Sequence, residues 1–175
     1  LIRVVGGELR GRRLAVAARG VRPTSERTRE AIFDILGPAL VSGALGIEAL
    51  SRGAAYADFV DGSADVARRL TESLESLGLA ARSRVHRADL GRGALPAAAV
   101  GPWQVVFLDP PYAGGAGETW LRALARIPWG ERGGVVVHER GRSEPGQSET
   151  PEGLVLVTER RYGDTTVAIY RGGDE

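Results

Sequence analysis

Trp103-Gln104-Val105-Val106-Phe107-Leu108-Asp109-Pro110-Pro111-Tyr112 runs from an apolar stretch straight into an acid, two prolines and an aromatic ring. A short continuous apolar run is the pattern of a strand buried on both faces, as in a parallel sheet covered by helices. The prolines end it, because each fixes φ and removes an N–H donor from any ladder. The same residues have a chemical reading. Backbone carbonyls freed by the prolines, together with the Asp109 carboxylate, form a set of acceptors, and Tyr112 adds a flat stacking face. An amino group on an aromatic base, with two N–H donors on a planar ring, is the complement of that set. Its lone pair is delocalised and weakly nucleophilic. Accepting both N–H bonds favours a pyramidal nitrogen and frees the pair for in-line attack on a sulfonium methyl. Acceptors matched to charge that develops only in the transition state are what catalysis requires.

Outward from this stretch, strand and helix patterns alternate. Gly43–Arg52 reads as a helix opened by a glycine turn, Tyr56–Asp61 as a strand, and Ala64–Leu77 as a helix with Ala67, Leu70, Leu74 and Leu77 on one face. Arg84–Ala88 and Gly134–His138 read as strands, with a helix over Glu118–Arg126 between them. Leu154–Glu159 and Thr166–Arg171 flank Gly163-Asp164 and read as an antiparallel hairpin. Such alternation implies an α/β fold with a largely parallel sheet. Ligands of open α/β sheets bind beyond the carboxyl ends of the strands. Asp61, Asp89 and Asp109 each follow a strand there. One such acid is most simply a helix cap, but three in succession point to a shared ligand crevice.

Composition narrows the function. The chain has 175 residues, 43% hydrophobic and 26% charged, which suits one globular domain. It has no cysteine and only two histidines, His86 and His138, without metal-ligand spacing, so no metal is expected. No apolar run approaches the ~20 residues that span a bilayer, and Leu1–Gly7 lacks the form of a secretory signal, so a cytoplasmic protein without membrane contact is expected. Every basic residue is arginine, and the charge is uneven. Residues 1–30 hold eight arginines against three glutamates, net +5, and the remainder is net −4. A basic segment on an acidic body suggests a polyanion partner, although a solvated charged face has the same composition.

Asp109-Pro110-Pro111-Tyr112 resembles motif IV of amino-directed methyltransferases, and the whole chain is similar to the bacterial 16S ribosomal RNA guanine-N2-methyltransferase family of the RsmD type. Arg3–Gly7 with Gly11-Arg12-Arg13-Leu14 looks like that family's N-terminal hairpin. Arg22-Pro23-Thr24-Ser25-Glu26-Arg27-Thr28-Arg29-Glu30 is similar to its Arg-Pro-Thr helix, Ser42–Ala54 to its cofactor loop and following helix, and Tyr162-Gly163-Asp164-Thr165 to its closing hairpin. The resemblance implies a Rossmann-like class I fold: a mostly parallel seven-stranded sheet with helices on both faces, an antiparallel C-terminal hairpin and a small N-terminal hairpin-and-helix extension. Residues 1–38 would be a basic RNA-binding extension and 39–175 the methyltransferase domain, the protein acting as a monomer.

It also implies roles. S-adenosylmethionine would be the methyl donor, with Ser42, Gly43 and Gly46 against its methionine part, Asp61 on the ribose hydroxyls, and Asp89 and Leu90 at the adenine. Asp109, Pro110, Pro111 and Tyr112 would hold the target guanine of 16S rRNA, free or in the small ribosomal subunit. Arg10, Arg12, Arg13, Arg22, Thr24, Arg27 and Arg29 would grip the RNA. The target must be unstacked, because its amino nitrogen cannot meet the methyl inside a duplex. One departure stands out. The family carries a strand and an acid before the glycine loop, whereas here Leu36-Gly37-Pro38-Ala39-Leu40-Val41 leads directly into Ser42-Gly43. Residues missing between Val41 and Ser42 are therefore expected.

Three other functions compete. Adenine-N6 or cytosine-N4 methylation shares the tetrapeptide chemistry, but DNA enzymes usually add a target-recognition region. A nicotinamide oxidoreductase is disfavoured by the absence of Gly-x-Gly-x-x-Gly. A non-catalytic RNA-binding module is favoured only by the missing strand. Trp103, Trp120 and Trp129 are expected in the core or at its rim, His86 as structural, His138-Glu139-Arg140 as a solvated strand end ahead of a substrate-side role, and Arg142–Gly153 as a mobile loop.

Overall fold

The computed structural model describes residues 2–14, 43–88, 103–109, 116–127, 129, 133–141 and 149–172. They fall into two units, Leu1–Ala99 and Val100–Glu175.

In the first unit, β1 (Ile2–Arg3) pairs antiparallel with β2 (Arg13–Leu14). Helix α1 (Gly43–Ser51) follows, then β3 (Ala57–Asp61), α2 (Ala64–Ser76) and β4 (Ser83–Arg87). β3 and β4 pair in parallel, from Ala57 opposite Ser83 to Asp61 opposite Arg87. Leu45, Ile47, Ala49 and Leu50 of α1 are all buried, so this helix has apolar contact around most of its circumference. α2 is amphipathic. It buries Leu70, Ser73 and Leu74 on one face and displays Arg68, Asp65 and Glu72 in exposed ion pairs on the other. Such exposed pairs add little stability. Ser63 caps α2, its hydroxyl accepting from Val66 N–H, and Asp65 suits the positive end of the helix dipole.

The β1–β2 arm is fastened to α1 by polar contacts. Glu48, almost wholly buried, accepts from Val5 N–H (2.8 Å) and from Arg52 Nε (2.9 Å). The Ser51 hydroxyl donates to the Gly6 carbonyl (2.7 Å) and accepts from Leu9 N–H (2.9 Å), while Glu8 N–H reaches the Ser51 carbonyl (2.8 Å). Arg82 adds an ion pair to Glu8 (2.7 Å). Gly7 has φ +73°, and a Cβ there would overlap the Ser51 carbonyl. Only glycine allows so close an approach.

In the second unit, β5 (Val105–Leu108) is followed by α3 (Ala116–Leu124), β6 (Gly134–Gly141), β7 (Leu154–Tyr162) and β8 (Thr165–Gly172). The sheet order is β5-β6-β8-β7, with β5 parallel to β6 and the other neighbours antiparallel. α3 buries Trp120, Leu121 and Leu124. Gly134 and Gly172 face each other across β6 and β8, and a Cβ at either would collide with the Trp129 indole. The glycine pair thus makes a seat for a large ring that is itself buried. β7 is an edge strand of this sheet. It leaves Val155, Leu156 and Val157 exposed, and a bulge between Leu156 and Thr158 interrupts its pairing. Bulges and charges such as Arg160 and Arg161 discourage further strand addition at an edge.

The expected α/β architecture, a mostly parallel seven-stranded sheet with an antiparallel C-terminal hairpin, is seen in part. Among the described residues the strands form three sheets, of two, two and four strands. Two strand pairings are parallel and three antiparallel. The physical reason is the long C-terminal hairpin, which doubles back on β6 through Gly163-Asp164 and contributes two antiparallel ladders. The expected Arg-Pro-Thr helix, the Arg142–Ser148 part of the expected loop and the Val41–Ser42 junction lie outside the described residues. Among the described residues, no helix is long and apolar enough to cross a membrane.

Candidate active site

In the second unit, Asp109 stands immediately beyond β5, where the apolar ladder has ended. The last β5 pair sets Leu108 opposite His138. One residue further along both strands, Asp109 comes beside Glu139. Side chains of adjacent parallel strands at matching positions share a face, with backbones ~4.8 Å apart. Asp109 is exposed, whereas Glu139 is 2% exposed. The Asp109 carboxyl is pushed up to about 7, by loss of hydration first and by the neighbouring Glu139 charge second. Exposure and desolvation coexist here, since a group can keep open surface on one side while neighbours displace its hydration shell on the others. An acid that titrates near neutrality can both accept a hydrogen bond and take up a proton.

His138-Glu139-Arg140 corrects the expectation of a solvated strand end. β6 continues to Gly141, and His138 and Glu139 are both buried. Pairing with β8 on the far side, Glu139 opposite Val167 and Arg140 opposite Thr166, carries the strand past its apolar run. His138 and Arg140 lie on the sheet face opposite Glu139, where Arg140 pairs with Glu159 of β7 (2.6 Å). Among the described residues neither ring nitrogen of His138 has a hydrogen-bond partner, and burial, followed by the Arg140 charge, lowers its pKa to about 4. A depressed histidine binds its proton less tightly folded than unfolded. Its contribution to stability is therefore present above about pH 6.5 and is lost as pH falls towards about 4. In His138→Phe that acid loss is expected to disappear. Stability at pH 7 should stay within about 1 kcal/mol, because an apolar ring replaces an unsatisfied polar one. Urea unfolding of both proteins from pH 7 to pH 4 measures this, and parallel pH curves would contradict it.

In the first unit, Asp61 ends β3 and is half-buried. One carboxylate oxygen accepts from Ser63 N–H (2.7 Å), which leaves the other to accept from a ligand. Ala88 N–H donates to the Asp61 carbonyl (3.1 Å), so the ends of β3 and β4 stand level. A carboxylate at a strand end beside a helix start suits the vicinal hydroxyls of a ribose. Gly43 opens α1, and Gly46 is buried within it. Arg10, Arg12 and Arg13 are exposed on the arm, and Arg12 touches the Ser76 carbonyl (3.4 Å). Ser42, Asp89, Leu90, Pro110, Pro111, Tyr112, Arg22, Thr24, Arg27 and Arg29 lie outside the described residues. Among the described residues no group of acids and histidines could hold a metal ion.

Sequence reasoning passed over Glu48 and placed Glu139 in a solvated strand end. Glu48 sits mid-helix among apolar residues, and that placement was its only signal. Glu139 could have been found by noticing that it occupies, on the neighbouring strand, the place Asp109 has on its own. His86 is structural as expected, its Nε2 2.7 Å from the Asp58 carboxylate. Trp120 and Trp129 are core residues, and Trp103 is half-buried.

A family model described as Conserved hypothetical protein 95 matches residues 2–171. "Putative rRNA methyltransferase YlbH" of Bacillus subtilis (strain 168) is 37% identical over 183 aligned positions, taking in 97% of this chain and 98% of that protein. "Ribosomal RNA small subunit methyltransferase D" of Escherichia coli (strain K12) is 32% identical over 181 positions, 97% of this chain and 89% of that protein. Both alignments are longer than this chain's 175 residues, so both relatives carry residues without a counterpart here. The solved structure named "Putative methyltransferase yhhF from Escherichia coli" superposes with TM-score 0.78 at 31% identity, covering 98% of this chain and 97% of the other. The fold is thus the α/β fold of methyltransferases. With a family model spanning nearly the whole chain and relatives above 30% identity over the same length, the chain belongs to the Conserved hypothetical protein 95 family of RsmD-type methyltransferases.

Proposed function

We propose that this protein methylates the exocyclic N2 amino group of a guanine in 16S ribosomal RNA, using S-adenosylmethionine. The observation that carries this reading is Asp109. It is an accessible carboxylate at the carboxyl end of a core strand, continued in sequence by Pro110-Pro111-Tyr112, in a chain whose relatives bear the name of small-subunit ribosomal RNA methyltransferase. S-adenosylmethionine supplies an electrophilic methyl group when bound. Asp109 accepts an N–H bond from the guanine amine and orients its lone pair, with Pro110 and Pro111 shaping the backbone acceptors. Tyr112 stacks on the unstacked base, a contact worth ~1–3 kcal/mol. Asp61 holds the ribose hydroxyls, Ser42, Gly43 and Gly46 border the methionine part, and Asp89 and Leu90 border the adenine. Arg10, Arg12, Arg13, Arg22, Arg27 and Arg29, with Thr24, bind phosphates, a contact that weakens with salt. We also assign the residues that the relatives have in excess to the junction of Val41 and Ser42, where the sequence lacks the family's apolar stretch and acid. The protein works as a monomer in the cytoplasm, on ribosomal RNA or a small-subunit particle.

The test is incubation of 16S RNA and of 30S particles from a methylation-deficient strain with labelled cofactor, followed by nucleoside analysis. Labelled N2-methylguanosine is the expected product. N6-methyladenosine or N4-methylcytidine would overturn the choice of base, and no transfer with no cofactor binding would point to a non-catalytic RNA-binding protein.

A further inference from the structure

We infer that Glu139 is a positioning residue for the reaction, a buried carboxylate set beside Asp109 so that Asp109 takes the proton released from the base amine as the methyl arrives. The inference rests on the function proposed above. Its geometric basis is the β5–β6 ladder. Val105–Leu108 pairs in register with Val135–His138, and the residues that directly follow the last pair, Asp109 and Glu139, are electrostatic neighbours. Glu139 is held there within β6, flanked on the other side by Val167 of β8. The next charge on the Glu139 face of the sheet is Arg160 of β7, opposite Val167. His138, Arg140 and Glu159 occupy the opposite face, and Glu118 and Arg122 of α3 pair with each other at the surface (2.5 Å). The charge that Glu139 places at Asp109 is negative and favours the protonated carboxyl.

Two neighbouring carboxylates resist being ionised together. During transfer the nitrogen lone pair forms the N–C bond, and the pair of the breaking C–S bond stays on sulfur. The nitrogen then carries a proton it cannot keep. Uptake of that proton by an Asp109 oxygen forms an O–H bond, returns the N–H pair to nitrogen, and removes the repulsion from Glu139. The proton leaves to solvent after product release. An isolated aspartate, with an ordinary pKa near 3.9, would be a much weaker acceptor at neutral pH.

Two measurements test this. The first follows the Asp109 carboxyl carbon by NMR against pH in the free protein, wild type and Glu139→Gln. The wild-type midpoint is expected near 7, and the variant's lower, because lost hydration remains in the variant while the Glu139 charge is gone. The second is the single-turnover rate on ribosomal RNA against pH. The wild-type rate should rise with a midpoint near 7. The variant should level off at lower pH, with a plateau about tenfold lower and little change in KM, as a weaker base requires. A merely structural glutamate would scale the rate without moving the midpoint. A wild-type Asp109 that titrates near 4, or a variant with unchanged midpoint and profile, overturns the inference. If Glu139→Gln does not fold, Glu139→Asp, which draws the charge back by one methylene, should lower both midpoints in the same direction. If no methyl reaches ribosomal RNA while Asp109 titrates as expected, it is the proposed reaction that fails and not the carboxylate pairing.

Discussion

Asp109→Ala is expected to lower the single-turnover rate of methyl transfer at least about a hundredfold, the scale of losing one acceptor aimed at developing charge. S-adenosylmethionine affinity should stay within about threefold, because the loss falls on the transition state and not on cofactor binding. Calorimetric titration with cofactor, beside quenched-flow transfer to ribosomal RNA, separates the two quantities. A variant that no longer binds cofactor would make Asp109 structural. The same variant carries a stability signature with a definite sign. The folded Asp109 pKa lies near 7, above its ordinary 3.8. The stability it contributes is therefore fully present below about pH 4 and is lost as pH rises through about 7. Relative to wild type, Asp109→Ala should gain stability across that window. Holding a carboxylate beside Glu139 at neutral pH opposes folding, a cost often seen where chemistry is performed. His138 acts in the opposite direction over an overlapping range, so Asp109→Ala is best compared with wild type in a His138→Phe background.

Gly7→Ala should detach the N-terminal arm. Alanine at φ +73° costs ~1–2 kcal/mol by itself. Its Cβ also overlaps the backbone carbonyl of Ser51, which cannot rotate away as a side chain could. Relief requires the arm to lift. It then loses the bonds from Glu8 N–H to the Ser51 carbonyl, from Leu9 N–H to the Ser51 hydroxyl and from that hydroxyl to the Gly6 carbonyl, each worth about 1 kcal/mol. The expected loss is about 3–5 kcal/mol, limited to the arm if α1 keeps its packing. Hydrogen exchange should show lost protection at Val5, Glu8 and Leu9, with the β3–β4 amides unchanged. Arg10, Arg12 and Arg13 ride on this arm, so RNA affinity at low salt should fall by about tenfold as their arrangement is lost. Protected arm amides in the variant, with unchanged RNA affinity, would sink this account.

Much of the fold was legible because it is written in local patterns. The alternation of Val105–Leu108, Glu118–Arg126 and Gly134–His138 gave strand, helix and strand near their observed bounds, and Gly163-Asp164 gave the final turn. The strand ends were less legible. β6 runs on through His138, Glu139 and Arg140 because β8 pairs with it to Gly141, a long-range ladder with no local signature. Read locally, three polar residues after an apolar run signal the end of a strand. Glu48 was overlooked for a related reason. A helix position reveals that it must satisfy Val5 N–H only when the arm is seen lying against it.

The sequence by itself determined the chemistry on offer: an acid, two prolines and an aromatic ring after a core strand, with a basic arm at the N-terminus. Those are properties of residue type and short spacing, which covalent order sets. Tertiary structure decided how the acid behaves. The parallel register of β5 and β6 leads Glu139 towards Asp109, and lost hydration, with the neighbouring charge, moves its proton affinity to neutrality. Residues 30 positions apart along the chain acquire that coupling only when the strands pair, because the electrostatic and solvation effects concerned extend over ångströms of space.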